Sequence, residues 1–158
     1  MQYRDYGNEG YKVSAFGMGC MRVPHVKDEH GNKIIQREEA IKMIRYAADH
    51  GVTYFDSARM YFNGDCDALL GEALAGGYRE KVKVVSKIPP RFVNSEEEFN
   101  NTLDDMLKKL QTDYLDVLLA HDMNRRGMGQ IPADGYVSMD GKGKAGRQDQ
   151  GHWLFVPR

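Results

Sequence analysis

Between Ala15 and Ala120 the chain alternates short apolar or β-branched runs with longer stretches of helical spacing, joined by short loops. That alternation implies a parallel sheet with helices packed on it. Ala15–Cys20 reads as a strand of small residues. Arg37–His50 puts Ala40, Ile41, Ile44, Ala47 and Ala48 on one helical stripe, and Gly51 ends it. Val52–Phe55 is a β-branched and aromatic strand that stops at Asp56. A second helix over Asp65–Leu74 turns Leu69, Leu70, Ala73 and Leu74 inward and halts at Gly76-Gly77. Val82–Ile88 is the next strand, closed by Pro89-Pro90. Ser95 and Glu98 then form a capping box for a helix whose stripe is Phe99, Leu103, Met106, Leu107 and Leu110. Tyr114–Ala120 is the last strand and ends at His121. Ahead of this series, Gln2–Tyr6 and Tyr11–Phe16 flank Gly7-Asn8-Glu9-Gly10 as a hairpin. A polar loop with Pro24 and Gly31 follows the strand Ala15–Cys20. The fold class expected is α/β, with four parallel strands alternating with helices.

Composition narrows the function. The 158 residues suffice for one domain with a core. With 22 basic and 23 acidic residues the net charge is −1, which gives no electrostatic case for nucleic acid. No apolar run approaches the roughly 20 residues that span a bilayer. Two cysteines, Cys20 and Cys66, are too few for a disulfide scaffold and fit a reducing compartment. Met1-Gln2-Tyr3-Arg4-Asp5 lacks the apolar core of a signal peptide, so a cytoplasmic location is expected.

Polar residues mark the C-terminal ends of the strands. Asp56 closes one, Tyr61 lies in the loop beyond it, Lys87 sits near the end of the next and His121 ends the last. In a parallel α/β barrel those ends form one face, which carries the active site. The set makes chemical sense. A phenol is a weak acid at neutral pH, an adjacent ammonium favours its phenolate, and a carboxylate anchors the ammonium. Such a relay can hand a proton to a developing alkoxide, while a histidine hydrogen-bonds and orients the same oxygen. Each residue also has an ordinary reading: Asp56 as a cap, Tyr61 as a half-buried aromatic, Lys87 as a solvated charge, His121 as a structural histidine. Their joint placement on consecutive strand ends favours chemistry.

These residues and their surroundings resemble the N-terminal half of an aldo-keto reductase, a TIM (β/α)8 barrel. The matching pieces are Gly10–Ser14, Gly17–Arg22, Tyr54–Tyr61, Leu70–Leu74, Val85–Lys87, and Asp113–Val117 through His121-Asp122. The resemblance implies NADP(H) as cofactor and a small-molecule aldehyde or ketone as substrate. By it Tyr61 is the general acid, Lys87 and Asp56 tune it, and His121 helps bind the carbonyl. Gly19, Cys20, Met21 and Asp56 would lie beside the nicotinamide. The Met21-Arg22 and His121–Asn124 wording is similar to the subgroup with a C-terminal ferredoxin-type iron–sulfur domain, although this chain itself is expected to hold no cluster and no metal. One stretch departs from the family: many members follow the tyrosine with Gly or His and then a Ser-Glu pair, where Phe62-Asn63-Gly64-Asp65-Cys66-Asp67 stands here. That puts loop shape and substrate choice in question. Cys66 reads as a packing residue at a helix start.

The resemblance runs over residues 1–126. Gly127–Arg158 holds seven of the 17 glycines and no helical stripe, and its first credible strand is Trp153–Val156. Read one nucleotide later, its codons force Trp at Met128-Gly129 and Met139-Asp140, and Gly at Trp153-Leu154. Lys or Arg is forced at Gln130-Ile131, Lys142-Gly143, Lys144-Ala145, Gln148-Asp149 and Gln150-Gly151. One allowed solution ends IKGIGFSF after a basic, helix-capable stretch, similar to a fourth helix and fifth strand. The tail is therefore expected to be an aberrant segment, the product of a frameshift near Arg125–Met128. A full barrel needs about 250 residues, so much of the cofactor site would be missing. The fourth strand would be an exposed edge open to self-association. The chain alone is expected to be insoluble, partly unfolded or oligomeric, with little turnover. The alternative is a reductase-like half-barrel that serves as an interaction module.

Overall fold

The computed structural model describes residues 1–122 and the strand His152–Trp153. The expectations for the rest of the 127–158 tail lie outside the described residues. The chain opens with an antiparallel hairpin, β1 (Tyr3–Asp5) and β2 (Lys12–Ser14). A parallel sheet follows in the order β3 (Met18–Gly19), β6 (Tyr54–Asp56), β7 (Lys83–Ile88), β8 (Val117–Ala120) and β9 (His152–Trp153). Helices α1 (Arg37–Asp49), α2 (Asp65–Leu74) and α3 (Glu96–Leu110) connect the first four of these strands. This is the β/α alternation of half a TIM barrel.

The sheet has two apolar faces, as its continuous apolar strands require. Val84, Ile88, Phe55 and Leu118 join Ile44, Leu70, Phe99 and Met106 of the helices in one core. Val85 and Val117 are also buried but point to the opposite side by strand alternation, the side that a barrel would enclose. The first hairpin closes one end of that side. Ser14 and Thr53 exchange backbone-to-hydroxyl hydrogen bonds of 2.8 and 2.9 Å, and Tyr6 packs on both Tyr11 and Tyr54. Helices α2 and α3 approach closely at Gly71, where a Cβ would lie 2.5 Å from the Lys109 carbonyl oxygen.

The structure differs from the sequence reading in three places. The polar loop after β3 is a second hairpin, β4 (His25–Lys27) and β5 (Lys33–Ile35). Its turn is tied by Asp28, whose carboxylate accepts from the Asn32 and His30 amides at 2.7 and 2.9 Å, with Gly31 at φ +81°. The strands are shorter than their apolar runs: Val52 and Leu115 are buried just before β6 and β8 without belonging to the ladders. The fourth barrel strand is not a bare edge along Val117–Leu118, because β9 pairs parallel with it there. No helix among the described residues is long and apolar enough to cross a membrane.

Candidate active site

The backbone itself carries Tyr61 to Lys87. After β6 ends at Asp56, the Ser57 amide donates to the Val85 carbonyl at 2.8 Å and the Arg59 amide to the Lys87 carbonyl at 3.1 Å. The segment therefore keeps running along β7 before it turns. The turn is tight: Phe62, Asn63 and Gly64 are all left-handed, at φ 52°, 56° and 89°. For Phe62 that conformation costs about 1–2 kcal/mol, since its Cβ crowds the carbonyl. The ring packs edge-on against His25 of the second hairpin, 5.4 Å between centroids.

At the centre lies the Lys87 ammonium, 13% exposed. It donates to Asp56 Oδ1 at 2.5 Å, to the Ser57 carbonyl at 2.8 Å and to the Tyr61 hydroxyl at 3.2 Å. An ammonium has three donors, and three acceptors take them. Because Tyr61 accepts from Lys87, its own O–H is left to donate elsewhere. His121 follows β8, with its amide bonded to the Ile88 carbonyl at 2.9 Å. Its ring meets the Tyr61 ring edge-on, 5.7 Å between centroids. Burial, and then the Lys87 charge, holds the imidazole below its ordinary value of 6.5, so it is neutral at pH 7. Its Nδ1 is buried with no partner among the described residues. Asp56, Tyr61, Lys87 and His121 thus meet on one rim, as their strand-end positions implied.

Gly19, in register with Asp56 across β3 and β6, stands at the same rim. A Cβ there would meet nothing within 4 Å. Met21 is exposed, while the Cys20 side chain turns fully into the core, which leaves only its backbone to face the rim.

Residues 15–127 match the sequence model of the Aldo/keto reductase family. The chain belongs to that family. It is 37% identical over 91 residues to methylglyoxal reductase YeaE of Escherichia coli (strain K12), covering 58% of this chain and 31% of the relative. It is 31% identical over 129 residues to an Arabidopsis thaliana protein named "Probable voltage-gated potassium channel subunit beta", covering 77% of this chain and 37% of the relative. Among solved structures, an aldo-keto reductase from Klebsiella pneumoniae in complex with NADPH is 26% identical with a TM-score of 0.65. The alignment covers 93% of this chain and 46% of that one. The chain thus spans about a third of the length of the curated relatives it matches.

The rim also rests on a residue the sequence reading missed. Asp67 of α2 is 1% exposed, and its Oδ1 accepts from the Ser57 hydroxyl at 2.6 Å and the Ser86 hydroxyl at 3.1 Å. Ser57 follows Asp56 and Ser86 precedes Lys87, so one carboxyl braces both strand ends. Burial pushes that carboxyl above its ordinary value of 3.8. The sequence signal was its place three and seven residues before the inward-facing Leu70 and Leu74.

Proposed function

We propose that this site carries out NADPH-dependent reduction of a small aldehyde or ketone, with Tyr61 as general acid. The observation that carries the reading is the direction of one hydrogen bond: Lys87 donates to Tyr61 and so frees the phenol proton for a substrate oxygen. When bound, NADPH supplies a hydride to the carbonyl carbon. The residues present suit the nicotinamide end of that cofactor, because the open backbone at Gly19 and the exposed Met21 leave room for a flat ring beside Asp56. Neutral His121 hydrogen-bonds the carbonyl oxygen and aims it at Tyr61. As negative charge develops on that oxygen, Tyr61 gives up its proton, and the Lys87 ammonium faces the phenolate that remains. Asp56 keeps Lys87 in place.

Residues 1–126 supply only the first four barrel strands, and the later strands would grip the adenosine phosphate. The tail 127–158 is taken as a frameshifted stretch, with the protein located in the cytoplasm. Purified as it stands, the chain is expected to self-associate and to consume little or no NADPH with a carbonyl substrate; robust turnover by a monomer would overturn that. Sequencing the DNA around Arg125–Met128 tests the frameshift, and a shifted frame without a barrel continuation removes it.

The likeness to a potassium channel β subunit favours one second reading, an interaction module. NADPH fluorescence quenching and turnover by a chain with the shifted frame restored, with and without Tyr61→Phe, separate the two. An enzyme loses turnover while it still quenches; a module has no turnover to lose and keeps its partner contacts.

A further inference from the structure

We propose that Arg91 is a specificity residue of the rim and that it holds a carboxylate on the carbonyl substrate, an inference that rests on the reductase reading of the same site. One side chain here reaches across three strand ends. Arg91 lies in the single turn Pro90–Phe92 that follows β7. Its Nη1 donates to Asp122 Oδ2 at 2.9 Å and its Nη2 to the Met60 sulfur at 3.1 Å. Met60, beyond β6, precedes Tyr61, and Asp122, beyond β8, follows His121. The guanidinium therefore bridges the immediate neighbours of both residues that would meet the carbonyl oxygen.

The two cations of the rim differ in what they have left to give. Lys87 is mostly buried, and its three donors are all taken. Arg91 is 42% exposed and carries five N–H donors. One goes to Asp122 and one to a thioether, a weak acceptor, while the others meet no acceptor among the described residues. That remainder suits a carboxylate, which takes two parallel N–H bonds from the planar fork. Asp56 and Asp122 offset the two cations, so selection rests on the hydrogen bonds of the fork and not on net charge.

The fork is held in place before a ligand arrives. Pro89 and Pro90 fix the backbone on its N-terminal side. The Phe92 and Val93 amides close the turn on the Pro89 and Pro90 carbonyls at 3.0 and 2.9 Å. The guanidinium lies 5.1 Å from the centroid of the Phe92 ring. A head anchored in this way loses little freedom on binding. After burial and the Lys87 charge, Asp122 and Arg91 are the next influences on the His121 ring, so the fork stands near the carbonyl end of the site. Exposed Met60 and Phe92 flank it and would take the apolar carbons between the carbonyl and the carboxylate.

Ligand-detected saturation-transfer NMR on the full chain tests this with levulinate, a keto acid, and its uncharged methyl ester, which share one ketone. The acid should bind about tenfold more tightly than the ester, the worth of roughly one charge-assisted hydrogen bond. Arg91→Gln should bring the acid down to the ester and leave the ester within about twofold, while Arg91→Lys, which keeps the charge without the fork, should recover only part of the margin. Equal affinities in the parent chain, or a margin that survives Arg91→Gln, would each overturn the role of Arg91. So would an Arg91→Gln chain that binds NADPH more weakly and the acid as before, since the fork would then serve the cofactor's phosphates. The ester keeps this inference distinct from the reading beneath it: ester binding that ignores His121→Ala removes the carbonyl site, and the assignment of Arg91 with it.

Discussion

Strand β7 carries two lysines on one face, and each is paired with an aspartate of a neighbouring strand segment. At the lower end Lys83 meets Asp116 at 2.9 Å; at the upper end Lys87 meets Asp56 at 2.5 Å. The lower aspartate is 2% exposed and fully committed, since it also accepts from the Val84 amide and from Arg79, both at 2.9 Å. Tyr11 covers Lys83, its ring centroid 4.3 Å from the ammonium, and burial pushes that phenol up to about 12. At the upper end the aspartate is the more exposed partner, at 29%, and the lysine also reaches a hydroxyl that is left free to donate. The same ion pair is thus closed where every partner is internal, and at the upper end it adjoins a hydroxyl left free to donate.

The largest expected effect tests the open end. In a chain with the shifted frame restored, Tyr61→Phe should lower kcat by about 10²–10⁴, the range general acid catalysis supplies, with NADPH quenching and thermal midpoint unchanged. A variant that kept its kcat would remove the chemical half of the contrast. At the closed end Asp116→Asn leaves Arg79 and Lys83 facing each other without a carboxylate. It should cost about 3–5 kcal/mol in urea unfolding, the usual cost of breaking a buried pair. Asp56→Asn should cost less than Asp116→Asn, since Lys87 keeps two other acceptors, the Ser57 carbonyl and the Tyr61 hydroxyl. Equal costs at the two ends would erase the distinction.

A smaller effect sharpens the same contrast. Gly71 lines a cavity with Arg79 and Tyr114 beside the closed pair, and it lets α2 approach the backbone of Lys109 and Leu110. Gly71→Ala should destabilise by about 1–3 kcal/mol through overpacking. The same change at Gly19 meets open space, so its effect should fall on NADPH binding and leave the unfolding midpoint in place.

The sequence made the open end legible because its four polar side chains interrupt apolar strands at their ends, where burial alone would not put them. Helix α2 was legible to its boundaries, Asp65–Leu74, for its stripe starts and stops on polar and glycine residues. The closed end was harder to read. Asp116 lies inside an apolar run as if it were a solvent-facing strand residue, and only the fold brings Arg79 and Lys83 to it. The β4–β5 hairpin was missed because Val26 and Ile34 are exposed and no core enforces an alternating pattern. The strands were read too long because Val52 and Leu115 are apolar for burial in loops that cap the core.

Asp67 gives the smallest effect, because its brace on Ser57 and Ser86 changes with protonation and not with folding. Its carboxyl is raised by burial, so the folded chain keeps a proton there that the unfolded chain loses near 3.8. Between 3.8 and the raised folded value, the native state therefore binds more protons, and this group's contribution to stability falls as the pH rises. Below that window the carboxyl is neutral in both states; above it the deficit is constant. Asp67→Asn is neutral at every pH and keeps an oxygen for both serines. The thermal midpoint of the variant minus that of the parent should therefore be lowest in acid, climb through the window and level off above it. A difference that stays flat with pH would mean that the brace beneath the open end is charged whenever the unfolded chain is. The buried carboxyl of Asp67 would then be a fixed anion beneath the rim, and burial would leave its titration unmoved.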